Sequence, residues 1–183
     1  MRDFQIINEK LDSDSKEEKI KILELLTSEE DPKIINKIIS KLDDDDIQVR
    51  GEAFSSLVLN ENKISKLLIN NLRSPSKNIR GFSALILANR KDTDAISSII
   101  ELTKDSSSMV RACALGALGF LKANDASNAI HNCFSDSSLE VKKSAVKAAI
   151  DIGYKLPPEE IKEISKEKDD ELEKLLVLAE KKR

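Results

Sequence analysis

The chain has 183 residues, 34 % of them charged, a mean hydropathy of −0.34 and a net charge of −3. No window approaches the roughly 18 uninterrupted apolar residues of a membrane span, and a pI of 5.4 argues against a dedicated nucleic-acid binder. Aromatic residues make up only 3 % and tryptophan is absent, so any core must be built from Ile, Leu, Val and Ala, a palette suited to closely packed helices.

Taken in chain order, the predicted elements are helical hairpins. An acidic first unit, residues 1–29, begins MRDFQIINEKLDSD without the apolar stretch of a secretory signal. In residues 30–60, Asp31-Pro32 opens a helix carrying Ile34, Ile35, Ile38, Ile39 and Leu42 at helical spacing. A second helix follows from Val49-Arg50, after the run Asp43–Asp46. Residues 61–90 repeat the plan with Leu68, then Ser74-Pro75, then Ile79-Arg80. Residues 91–122 place Ala95, Ile96, Ile99 and Ile100 before Val110-Arg111. Residues 123–154 place Ile130 before Val141-Lys142 and end at Gly153, a helix C-cap residue. The charged last unit, residues 155–183, starts at Pro157-Pro158. Each proline fits the first turn of a helix, with Asp31 and Ser74 placed to cap.

These units keep phase. Val49, Ile79, Val110 and Val141 lie 30, 31 and 31 residues apart, with weaker copies at Ile20-Lys21 and Leu172. Four residues beyond the anchor stand Ala53, Ser83, Ala114 and Ala145, and eight beyond it Leu57, Leu87, Leu118 and Ala149. Eleven before it come Ile38, Leu68, Ile99, Ile130 and Ile161. Hairpins of this size cannot bury their faces alone and must stack. The expected fold is all-α: a right-handed α-solenoid of about six hairpins forming one domain, with polar end units. Gly51 and Gly81 share a repeat position and Gly116 and Gly119 lie in a later second helix; glycine costs about 1 kcal/mol relative to alanine inside a helix, so close approach of a neighbouring backbone or of a partner is expected there.

The segments DDIQVRGEA, DSSSMVRACA and DSSLEVKKSA resemble HEAT repeats. The short period and Asp94-Ala95-Ile96 resemble the phycocyanobilin-lyase-type HEAT-like subclass. The resemblance covers essentially the whole chain and is clearest from about 44 to 153. It implies an Asp–Arg ladder between stacked repeats, assigned to Asp44 with Arg50, Asp105 with Arg111, and Asp136 with Lys142. Ser74 stands where the third unit should carry its Asp, so Arg80 either borrows a neighbour's acid or faces solvent. HEAT arrays serve as binding scaffolds in unrelated processes, so the resemblance fixes fold and leaves function open.

Chemistry is sparse. Cys113 has Arg111 two residues away, on another helix face, and the single histidine, His131, falls in the next unit. Cys113, Cys133 and His131 offer too few ligands for zinc, so both cysteines read as packing residues and His131 as a surface residue. Asp43–Asp46 reads as a solvated turn at a helix N-terminus. HEAT-repeat iron hydroxylases carry His-Glu pairs, and this chain has none. No catalytic residue, cofactor or metal is therefore assigned, and with two distant cysteines a reducing cytoplasmic location is expected.

In HEAT arrays the second helices line the concave side. Positions three, six and ten beyond the anchor point away from the core and give Leu59, Phe82, Leu85 and Phe120, with Arg50, Arg80 and Arg111 nearby. These apolar side chains either form an exposed patch or fill seams between adjacent second helices. The expected function is a non-enzymatic, monomeric protein–protein scaffold that receives a peptide or helix. A bilin-lyase-like chromophore-handling subunit and a nucleic-acid-binding HEAT-like protein are the alternatives.

Overall fold

The computed structural model of the protein describes residues 4–181. The described residues form twelve α-helices and five short 3-10 turns, and no strand. They gather into two compact units divided between Asp92 and Thr93. The first unit holds α1 (Phe4–Leu11), α2 (Lys16–Glu24), α3 (Pro32–Ser40), α4 (Ile47–Leu59), α5 (Ser65–Asn71) and α6 (Lys77–Asn89). The second holds α7 (Ile96–Glu101), α8 (Ser108–Phe120), α9 (Ser127–Asn132), α10 (Leu139–Ile152), α11 (Pro158–Ile164) and α12 (Asp170–Lys181). Each unit thus contains three antiparallel hairpins, and its fold is an all-α helical-repeat stack. No described helix is long and apolar enough to cross a membrane.

The repeat positions make the core. Ala53, Ser83, Ala114 and Ala145 are buried, as are Leu57, Leu87, Leu118 and Ala149. Ile38, Leu68, Ile99, Ile130 and Ile161 are buried on the facing first helices. Small side chains at the first set let the second helices of neighbouring hairpins approach, most closely where α8 lies on α10.

Caps set the helix starts. Asp31, with Pro32 as the first helical residue, accepts from the Lys33 amide at 2.8 Å, and Asp46 accepts from Gln48 at 2.7 Å. Pro75 differs from expectation: α6 starts at Lys77, with Ser76 accepting from the Ile79 amide at 3.3 Å. The proline therefore lies one residue outside the cap, where its ring disfavours helical backbone at Ser74. Helix ends also share a device. Lys91, Lys122 and Gly153, spaced 31 residues apart, all have positive φ. The amide after each reaches back five residues, Asp92 to Leu87 at 3.0 Å, Ala123 to Leu118 at 3.0 Å and Tyr154 to Ala149 at 2.9 Å.

Glycine at the shared position is not explained by crowding at Gly51, which is exposed and whose absent Cβ would meet nothing within 4 Å. The close approach lies at Gly119, where a Cβ would sit 3.0 Å from the Cα of Ala148 on α10. Ser83 is the other irregularity: its buried hydroxyl lacks a hydrogen-bond partner among the described residues, at a position where three other hairpins place alanine. Ser83→Ala is expected to raise unfolding stability by about 1 kcal/mol. Gly119→Ala should lower it by roughly 1–3 kcal/mol although alanine favours helix. Urea titration of the two variants beside the parent chain checks both signs.

Candidate functional site

The side chains that join hairpins lie at the turn between first and second helices. In the second unit, Arg111 on α8 donates Nη1 to the backbone carbonyl of Asp105, at 2.9 Å, at its own hairpin's turn. Its Nε and Nη2 reach forward to both carboxylate oxygens of Asp136, each at 2.8 Å. The pair is largely buried, with side chains 14 % and 11 % exposed. Asp136 Oδ1 also accepts from the Ser138 amide at 2.8 Å, which secures the start of α10. The Arg111 guanidinium first, and the Ser138 amide with it, hold the Asp136 carboxyl below the usual carboxylate range against the opposing effect of burial. One hairpin further on, Lys142 bonds Glu167, and Lys143 meets Asp169 at 3.2 Å and Glu171 at 3.0 Å.

The first unit repeats the arrangement with a lysine. Lys19 on α2 reaches the Asp44 carboxylate at 3.0 Å, while the other Asp44 oxygen takes the Asp46 amide at 3.1 Å. Burial pushes the Asp44 carboxyl up, but the Lys19 ammonium and that amide outweigh it, and the net shift is downward. Arg50 donates Nη1 to the carbonyls of Asp44 at 2.7 Å and Asp45 at 3.1 Å. The assigned ladder is therefore corrected in register. Within a hairpin Arg50, Arg80 and Arg111 hold carbonyls, and the carboxylate belongs to the cation of the hairpin before, 25 residues earlier in Lys19–Asp44, Arg111–Asp136 and Lys142–Glu167. In the first hairpin Lys19 serves, rather than the exposed Lys21. Sequence reading missed Lys19 and Glu167 because the flanking apolar pattern is weak there; a 25-residue cation–acid spacing would have found both.

The same register moves the consequence of Ser74. Arg80 donates Nη1 to the Ser74 carbonyl at 2.8 Å and to Pro75 at 3.0 Å, as its counterparts do. The acid missing at position 74 is the one that Arg50 would reach. The acidic run is also accounted for: Asp43 accepts from Asn78 at 2.8 Å, Asp44 takes Lys19, Asp45 offers its carbonyl to Arg50, and Asp46 caps α4.

A second joint lies at the far end of the hairpins in the first unit. Buried Asn60 donates to the Glu29 carbonyl at 2.7 Å and Asn62 to Ser28 at 3.0 Å. Arg90 then grips the end of α4 through the carbonyls of Asn60 and Asn62.

The outward positions of the second helices separate into two groups. In the first unit Leu59 is 65 % exposed, whereas Phe82 and Leu85 are half-buried. Phe82 packs edge-on against Phe54, with ring centroids 6.4 Å apart. In the second unit Phe120 is 56 % exposed. Leu59 and Phe120 occupy the same repeat position, ten residues beyond Val49 and Val110. Glu52, on the outward side of α4, has its carboxyl pushed up by burial and then by the nearby charge of Glu24 on α2.

Residues 65–150 match the family described as HEAT repeats, and residues 24–50 match the HEAT repeat associated with sister chromatid cohesion. Residues 65–150 therefore read as HEAT repeats. No curated protein matches the sequence. Among solved structures, this chain is similar to the complex of CpcE and CpcF of phycocyanin lyase from Nostoc sp. PCC7120. That match has 20 % identity over 97 % of this chain and 75 % of the other, with a TM-score of 0.58. A designed armadillo repeat protein in complex with the peptide (KR)4 matches at 17 % identity over 99 % of both chains, with a TM-score of 0.57. A Kap121p mutant matches at 18 % identity over 98 % of this chain and 23 % of its own, with a TM-score of 0.59. These likenesses concern the fold.

Within the HEAT hairpins the cysteines are placed for packing. Burial pushes the Cys113 thiol up to about 11, and its sulfur lies 3.6 Å from that of Met109. Cys133 is buried against the Thr103 carbonyl. His131 sits at the surface with Nε2 2.7 Å from Glu160, and among the described residues no three His, Cys, Asp or Glu side chains are grouped to hold a metal. Iodoacetamide should modify native Cys113 at neutral pH roughly a hundredfold more slowly than a free cysteine, read by mass spectrometry of quenched samples. Arg111→Gln should cost about 2 kcal/mol of unfolding stability. Because the folded Asp44 and Asp136 carboxyls lie below their unfolded values, their contribution is present above about pH 4 and is lost as pH falls through the folded values. Melting temperature against pH should therefore drop in acid, less steeply in Asp136→Asn.

Proposed function

We propose that this HEAT chain is a non-enzymatic scaffold that binds a peptide or helix of another protein on the outward face of its second helices. The observation that carries the reading is the recurrence of one large exposed apolar side chain at the same repeat position in each unit, Leu59 and Phe120. Apolar side chains held out by a rigid helical frame are the usual anchors of a docking face. In the first unit, half-buried Phe82 and Leu85 extend the apolar surface, with Arg80 at the start of the same helix. Burial and then the nearby charge of Glu24 disfavour the charged form of Glu52, and a Lys or Arg on the incoming segment would favour it. The designed armadillo protein holds a Lys/Arg peptide, and a basic-apolar segment is the occupant favoured for this chain.

Pull-downs from the source cells should recover a defined partner with the parent chain, and lose at least tenfold of it with Leu59→Asp plus Phe120→Asp. Both positions are exposed, so circular dichroism and melting temperature should stay unchanged. Undiminished recovery of the same partner by the folded double variant would refute the reading.

A further inference from the structure

Ser74 occupies an acid's place in every respect but charge. It stands at the turn position filled by Asp44, Asp105 and Asp136 in other hairpins. Its Oγ accepts from the amide two residues on, Ser76, at 3.3 Å, as the carboxylates of Asp44, Asp105 and Asp136 accept from Asp46 at 3.1 Å and from Ser107 and Ser138 at 2.8 Å. Its carbonyl receives Arg80 as the Asp105 carbonyl receives Arg111. What the serine lacks is the anion for the preceding hairpin's cation. That cation is Arg50, whose Nη1 holds the Asp44 and Asp45 carbonyls while Nε and Nη2 bond no described residue. In Arg111 those two nitrogens form the fork around Asp136. The turn of the second hairpin already lies against the start of α6, through the Asp43–Asn78 bond.

We propose that Ser74 is a phosphorylation site and that its phosphate completes the rung from Arg50, joining the second and third hairpins. The segment suits the chemistry. Ser74 is partly exposed, precedes the exposed Pro75, which disfavours helical backbone before it, and has exposed Arg73 and Lys77 on either side. The phosphoryl donor is a nucleoside triphosphate used by a protein kinase. The Ser74 Oγ–P bond forms, the bond from phosphorus to the departing nucleoside diphosphate breaks, and the hydroxyl proton leaves to the kinase's base. The product carries close to two negative charges and three acceptor oxygens, matched to the free side of a guanidinium. An unfilled rung becomes a charged pair, and the seam between the two hairpins tightens on demand.

Two readouts test this on the full chain, with phosphoserine encoded at position 74. Melting temperature should rise by about 4 °C over the unmodified chain, and the rise should vanish in Arg50→Gln. The second ionisation of the phosphate, followed by ³¹P NMR, should fall below its usual value of about 6 in the parent and return to it in Arg50→Gln. Should Arg50→Gln fail to fold, Arg50→Lys serves, retaining part of both effects. An equal melting shift with and without Arg50, or an unperturbed phosphate ionisation in the parent, overturns the rung. Phosphopeptide mapping of the chain from its own cells should find phosphate on Ser74; its absence across growth conditions overturns the modification.

Discussion

An aspartate at the turn of a hairpin joins three pieces of chain with one side chain and its own carbonyl. Asp136 secures the start of α10 through the Ser138 amide and accepts both arms of Arg111 from the hairpin before. At the equivalent position Asp105 gives its carbonyl to the Arg111 of its own hairpin. Because the carboxylate is mostly buried, its desolvation has to be offset by several charge-assisted bonds at once, and the geometry supplies them. The rest of the stack follows. Fixing the turn fixes where the second helix begins, and hence which of its faces meets the first helix.

The last hairpin shows that the tasks are separable. Glu167, 31 residues beyond Asp136, takes the cation Lys142, while Asp169 takes the amides of Glu171 at 3.1 Å and Leu172 at 2.9 Å at the start of α12. Two acids do there what one does at Asp136. The outward face obeys a different rule. Leu59 and Phe120 stay largely exposed, so burial within the stack does not account for apolar residues there.

Much of the fold was legible because helix burial is periodic. The positions four and eight beyond each anchor, and eleven before it, proved buried throughout the hairpins that the pattern covers. The Asp–cation positions were legible too, but their pairing was not. A sequence shows which residues recur, whereas partner choice depends on the stacking offset, and this set the carboxylate against the preceding hairpin's cation. Gly51 and Gly119 make the same point about space. Both are helical glycines, and only the packing of α8 on α10 distinguishes the one that is required. Phe82 and Phe120 look alike in the pattern, yet Phe82 is half-buried with Phe54 packed edge-on against it, whereas Phe120 is 56 % exposed.

The rung has a direction, running from a cation in one hairpin to an acid in the next, and this gives the two sides of a hairpin opposite chemistry. A cut made after the fifth hairpin would strand Lys142 and Lys143, whereas a cut made before the second would strand Asp44. The two kinds of fragment expose opposite charges on their broken faces. An in-frame duplication of a unit that carries both the acid and the cation, such as the one holding Asp105 and Arg111, would present each new face with the charge it needs, whereas a copy of the unit holding Ser74 would not.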